Sequence, residues 1–178
     1  MSPSIEVPRS TGDSHEKNPI GDGYPTQQQL RDLLHSAILT LYRAERELVL
    51  SAVHEQAIAF RLGQSLANAI ERPGSKLRVD AEYNRQGKRP KAIVKNGPFG
   101  ERPDLIIHVR GTNDSNLLAV EIKKAATAVE EDLRRLETLL SDPFRYGDAV
   151  LLILGHRPKW QWIGSDMEPI EIVGEQAP

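Results

Sequence analysis

The chain contains no cysteine, and aromatic side chains make up only 5% of its 178 residues. Without cysteine there is no disulfide framework, and the five scattered histidines show no zinc-ligand spacing. Long apolar runs are missing as well. The longest, Ala149 to Leu154, falls far short of the ~20 residues that a membrane helix needs, and Met1 to Pro25 hold no apolar stretch of the kind found in a secretory leader. A cytoplasmic protein that spans no membrane is therefore expected. Charge of one sign is scarce too: the net value is -2, so bulk charge cannot drive binding to nucleic acid, although a local basic patch still could. Neither a phosphate-binding G-x-x-x-x-G-K nor a G-x-S-x-G elbow occurs, which removes P-loop NTPases and elbow-type serine hydrolases.

What is present fits one domain of ordinary size. Residues 1–25 carry Pro3, Pro8, Pro19 and Pro25 with Gly12, Gly21 and Gly23, show no hydrophobic period, and read as a disordered tail. The remainder, 26–178, reads as a single domain. Leu30, Leu33, Leu34, Ala37, Ile38 and Leu41 recur at helical spacing, so an accessory helix is expected over 26–48. A second helix spans about Ala52 to Ile70 and stops at Pro73-Gly74, with a bend expected at Leu48 to Ser51. The period then changes to two across Leu77 to Asn84, predicting a strand with one polar face. Leu105 to Val109 and Leu117 to Ile122 form an antiparallel hairpin around Gly111 to Asn116. A helix with Val129, Leu133, Leu136 and Leu140 as its stripe follows, ending at Asp142-Pro143, and then a buried strand over Asp148 to Leu154. Strand, helix and strand in succession predict a right-handed crossover within one sheet. Short edge strands are expected at Trp160 to Ile163 and Ile170 to Val173. The result is an α/β protein with helices on both faces of a mixed sheet.

Chemistry enters at two places. Glu55 shares a helical face with Ala52, Ala59, Leu62, Leu66 and Ile70. A carboxylate on a buried stripe must be protonated, paired with a cation, or set at the edge of a polar cavity. In the hairpin, a symmetric turn pairs Ile106 with Glu121 and Asp104 with Lys123. Alternation then sends Asp104, Ile106, His108, Glu121 and Lys123 to one side, with an apolar face opposite. Asp104 and Glu121 become diagonal neighbours at roughly 7 Å or less between backbones, close enough to share a divalent cation. The plainer alternative is an inert hairpin carrying an Asp104–Lys123 ion pair. An acid two residues before a lysine is expected about once by chance at this composition, so only the joint occurrence carries weight.

Pro103-Asp104 opening one strand, Glu121-Ile122-Lys123 closing the next, and Glu55 on an upstream helix together resemble the PD-(D/E)XK nuclease superfamily. The resemblance spans about Ala52 to Gly155, and Val79 to Arg85 is similar to small bacterial members of unassigned role. It implies the restriction-endonuclease-like fold, a three-layer α/β/α sandwich with core order αβββαβ. By the resemblance Asp104 and Glu121 would bind Mg2+, with Mn2+ as substitute, and Ile122 would lend its backbone carbonyl. Glu55 would complete the metal site directly or through water, and Lys123 would orient or deprotonate the attacking water.

A second line comes from the loop. Over residues 84–103, Arg85, Lys88, Arg89, Lys91, Lys95 and Arg102 face only Glu101, a local excess of five positive charges. It reads either as a solvated loop or as a footprint for a phosphate backbone. Asp80 and Glu82 border the site or face solvent, and His108 is a base or fills a structural niche. Trp160 and Trp162 point the same way, towards a helix or towards a stacked base. The expected function is a Mg2+-dependent endonuclease acting on DNA in a defence, restriction or repair setting. A catalytically silent nucleic-acid-binding or oligomerisation module on the same fold is the alternative. The stripe of helix 26–48 needs a partner surface, either the core or a second chain, and a homodimer through this helix is expected.

Overall fold

A computed structural model describes residues 23–51, 54–83, 85, 86, 89, 90, 102–127 and 129–172. The expected tail therefore lies almost entirely outside the described residues. Helix α1 (Gln27–Ala44) opens with a capping box. Thr26 Oγ1 accepts from the Gln29 amide at 3.2 Å, and the Gln29 side chain accepts from the Thr26 amide at 2.8 Å, which satisfies donors that the first helical turn leaves open. The helical path breaks at Glu45, earlier than the expected bend, and α2 (Arg46–Leu50) follows. An ion pair of 3.2 Å from Arg61 to Glu45 spans this corner. Helix α3 (Glu55–Ile70) starts at Glu55, so that Ala52 precedes it and lies outside the described residues.

The strands are β1 (Leu77–Ala81), β2 (Arg85–Gln86), β3 (Arg89–Pro90), β4 (Leu105–Val109), β5 (Asn116–Lys123), β6 (Asp148–Ile153), β7 (Lys159–Trp162) and β8 (Glu168–Pro169), with α4 (Val129–Leu140) between β5 and β6. Six of them form one mixed sheet in the order β1-β4-β5-β6-β7-β8, while β2 and β3 pair by themselves within the expected loop. Strands β5 and β6 run parallel, as the α4 crossover requires, and the other neighbours are antiparallel. The last strand falls on Glu168–Pro169 instead of Ile170 to Val173. Ile170 is buried just beyond it, its amide bonded to the Pro158 carbonyl at 2.9 Å.

Alternation along the strands builds two cores. Leu105, Ile107, Leu118, Val120, Ile122, Val150 and Leu152 pack with α1 and α3 on one side. Ile106, Ala119, Ala149, Leu151 and Ile153 pack with Leu136 and Leu139 of α4 on the other. Buried on both faces, β6 is accordingly apolar almost throughout. Gly63 lets α3 approach the sheet, since a Cβ there would stand 2.9 Å from Leu105 Cδ2.

The α1 stripe finds its partner surface within its own chain. Leu30, Leu34, Ala37, Ile38 and Leu41 are buried in the α3-side core, each large one contributing roughly 1.5–3 kcal/mol. Arg31 lies over the Trp162 ring at 4.5 Å, and His35 meets Trp160 edge-on at 5.1 Å. Both tryptophans thus pack against α1. The apolar stripe consequently no longer asks for a second chain. No helix among the described residues is long and apolar enough to cross a membrane.

One expectation about the hairpin needs correction. Ile106 pairs with Ala119 and Leu105 with Val120, two residues away from the symmetric register, and a bulge between Ile107 and His108 sets His108 opposite Asn116. The cause lies in the turn. Thr112 and Asp114 bond to each other inside it, the Val109 amide closes onto the Ser115 carbonyl at 3.1 Å, and Asn116 joins the strand. Before the bulge, a shift of two keeps Leu105, Ile106, Ile107, Leu118, Ala119 and Val120 on their expected faces.

Candidate active site

The corrected register brings the two acids closer than the diagonal arrangement would. Continuing the ladder beyond Leu105–Val120 sets Asp104 opposite Glu121. Asp104 Oδ2 accepts from the Ile122 amide at 2.7 Å. The Lys123 carbonyl accepts from Leu154 on the β6 side at 2.7 Å. Because successive peptide groups point to alternate sides of a strand, the Ile122 carbonyl is aimed away from β6, towards Asp104.

Glu121 shares the α4 face with Ala119 and is only 8% exposed. Its partners are cations: Lys123 Nζ at 3.4 Å and Arg135 Nη2 at 3.6 Å. Burial and then the Asp104 charge push its carboxyl up to about 7, with Arg135 and Lys123 pulling the other way. Asp104 is also raised. Burial dominates; the Ile122 amide and Lys123 oppose it, and the charges of Glu55 and Glu82 add to it.

Glu55, half-buried at the first position of α3, reaches the same strand end. Its Oε1 accepts from the Lys124 amide at 2.9 Å, and a carboxylate in the first turn suits the helix dipole. Glu55 thus meets the strand end at a backbone amide.

Two site residues went unnoticed in the sequence. Asp132 and Arg135 of α4 are ion-paired with each other, and Lys123 Nζ lies 3.5 Å from Asp132 Oδ1. Asp132 is buried, and its Oδ2 has no hydrogen-bond partner. The signal was present: the buried line of α4 is Asp132, Leu136 and Leu139, an acid on an apolar stripe exactly as informative as Glu55.

The bordering residues divide. Glu82 belongs to this end of the sheet, its amide donating to the Asp104 carbonyl at 3.2 Å. Asp80 turns elsewhere, to His108 Nε2 at 2.8 Å and Arg110 Nε at 2.7 Å. Burial raises Asp80, but the Arg110 and His108 hydrogen bonds outweigh it and hold the carboxyl below its usual range. His108 is 2% exposed and lies edge-on to Tyr83 at 4.4 Å, which is a structural niche. Of the basic loop, Lys88, Lys91 and Lys95 lie outside the described residues, while Arg85 and Arg89 fall in the β2–β3 pair. Arg102 Nη1 donates to the Glu82 carbonyl at 3.4 Å.

Among the described residues no three carboxylate or imidazole groups form a ready metal cage. Mg2+ does not demand one, because it is commonly held by one or two carboxylates together with waters and substrate phosphate. Two carboxylates driven towards protonation by burial and by neighbouring carboxylates, with a carbonyl aimed alongside, are a donor set that a hard cation would relieve. The residues present fit the group. Comparison with family models, curated proteins and solved structures finds no match to the chain.

Proposed function

We propose that this protein is a Mg2+-dependent endonuclease of the PD-(D/E)XK type, hydrolysing DNA phosphodiesters in the cytoplasm in a defence, restriction or repair setting. The observation that carries the reading is the meeting of Asp104, Glu121 and Lys123 at one strand end, with Glu55 anchored there from α3. The succession α3, β1, β4, β5, α4, β6 supports the αβββαβ order, and α1 and α3 opposite α4 support a three-layer sandwich of the restriction-endonuclease-like kind.

Asp104, Glu121 and the Ile122 carbonyl would hold the cation, with Glu55 directly or through water. When bound, Mg2+ supplies a Lewis acid for the phosphoryl oxygen and lowers the pKa of its water. The chain's own part is positional. The Ile122 amide fixes the Asp104 carboxylate, and Lys123 stands beside the paired acids, where as the ammonium it would orient the attacking water and offset charge on the phosphate, or as the neutral amine would take the proton of that water. Arg135 and Asp132 hold Lys123 and Glu121 from the α4 side.

Supercoiled plasmid incubated with the protein and Mg2+ or Mn2+ tests this. Nicking that chelator abolishes is the expected result. Intact plasmid with either metal would favour the catalytically silent module, a reading for which the cations already pairing Glu121 speak.

A further inference from the structure

Beside the acids, between the start of α3 and the end of β1, lies a cavity of about 300 Å³ lined by Gln56, Ala59, Phe60, Ala81, Glu82 and Asp104. This is the small end of the range for ligand pockets. Phe60 is 62% exposed. A lone exposed ring is ordinary, but this one forms part of a cavity wall. Arg61 helps to fix it, with the guanidinium carbon 5.9 Å from the ring centroid and Nε paired to Glu45.

The polar wall is fixed as well. Glu82 has a φ of 44°, a left-handed conformation that non-glycine residues seldom adopt. Three bonds hold it there: Gln56 Nε2 to its Oε1 at 2.5 Å, its amide to the Asp104 carbonyl, and Arg102 to its own carbonyl. Strain of this kind persists where the surroundings over-determine it, which is common at binding sites. One bond from Gln56 leaves the carboxylate further acceptor capacity.

Charge decides the occupant. Among the described residues the lining holds two carboxylates and no lysine, arginine or histidine, a wall that disfavours a phosphate group. A flat neutral ring bearing amino hydrogens meets an aromatic surface in Phe60 and an acceptor in Glu82. We infer that this cavity seats a single unstacked nucleobase carrying an exocyclic amino group, against Phe60 and bonded to Glu82, while the adjoining phosphodiester lies at Asp104 and Lys123. The placing of the phosphate rests on the nuclease reading. A base stacked inside a duplex cannot enter such a cavity, so the substrate presents an unpaired nucleotide at the cleavage point, in a single strand, at an end, or flipped out.

Fluorescence anisotropy with short oligodeoxycytidine and oligothymidine, in chelator so that binding is read without cleavage, tests the inference. The wild type should prefer the cytidine oligonucleotide, because thymine has no exocyclic amino group. Phe60→Ala should weaken binding about tenfold or more, as loss of one stacked base does, and Phe60→Trp should retain it. Glu82→Gln should narrow the preference for cytidine over thymidine. Equal binding of the two oligonucleotides by the wild type, or unchanged affinity in Phe60→Ala, would overturn the inference. If either occurs in a protein that nicks plasmid, only the cavity assignment fails. Base-selective, Phe60-dependent binding by a protein that never nicks would keep the cavity and remove the nuclease reading.

Discussion

Glu121 carries a conflict that makes it measurable. In the unfolded chain its carboxyl titrates near the usual 4.5, whereas burial and Asp104 move it to about 7 in the fold. Between those values the native state binds more protons, so metal-free stability falls as pH rises through that window, by something of the order of 3 kcal/mol. Asp104 is shifted in the same direction and adds to the slope. Asp80, shifted downward, acts with the opposite sign and only at more acid pH. Lys123 and Arg135 pair with Glu121 and moderate the effect without reversing it. Glu121→Gln should therefore be more stable than wild type at about pH 8 in chelator, and nearly level with it at about pH 5, in urea titrations. Added Mg2+ should raise the wild-type melting temperature at the higher pH and leave the variant unmoved. In activity, Asp104→Ala and Glu121→Ala should each abolish metal-dependent nicking with the fold intact, since on the proposed reading each would lose a cation ligand. Lys123→Ala should slow nicking while Mg2+ affinity, read by calorimetry, is roughly preserved. Wild-type nicking rates in either carboxylate variant would remove the assignment.

Individual elements were legible in proportion to how local their causes are. The α1 stripe, the crossover helix and the apolar β6 each follow from spacing within one segment, and each appears close to its expected bounds. The hairpin shows where this stops. Period two fixes which face a residue takes, and that held for Ile106 and Glu121; it says nothing about register, which the Thr112–Asp114 turn sets two residues away. Asp132 and Arg135 escaped notice for a related reason, because the α4 stripe was drawn through Val129 and Leu133, which are only half-buried. Packing between elements leaves a further trace at Gly63. Gly63→Val would drive a branched side chain into Leu105 next to Asp104 and should cost about 1–3 kcal/mol of stability in urea titrations. For the basic loop, replacing Lys88, Arg89 and Lys91 by alanine should reduce the slope of log affinity against log salt for DNA by up to about three. An unchanged slope would place the phosphate contacts elsewhere.

At the scale of the whole molecule, the question is how many sites act at once. Cutting both strands of a duplex in one encounter needs two active sites, and a two-fold pair is the commonest way for a small protein to supply them. The α1 stripe suggested such a pairing, yet Leu34, Ile38 and Leu41 are spent on the chain's own core, and Arg31 and His35 on the tryptophans of β7. A dimer would have to pair through side chains other than these. On the proposed reading, a single chain with one acidic site and a cavity for one unpaired base would work on one strand at a time. Supercoiled plasmid should accordingly pass to the nicked circle first, with linear product appearing only after a lag as independent nicks fall opposite one another. Light scattering should give the mass of one chain, 19.9 kDa, at micromolar concentration. Linear plasmid formed without a lag, together with twice that mass, would restore the paired arrangement and send the search for its interface to surfaces other than α1.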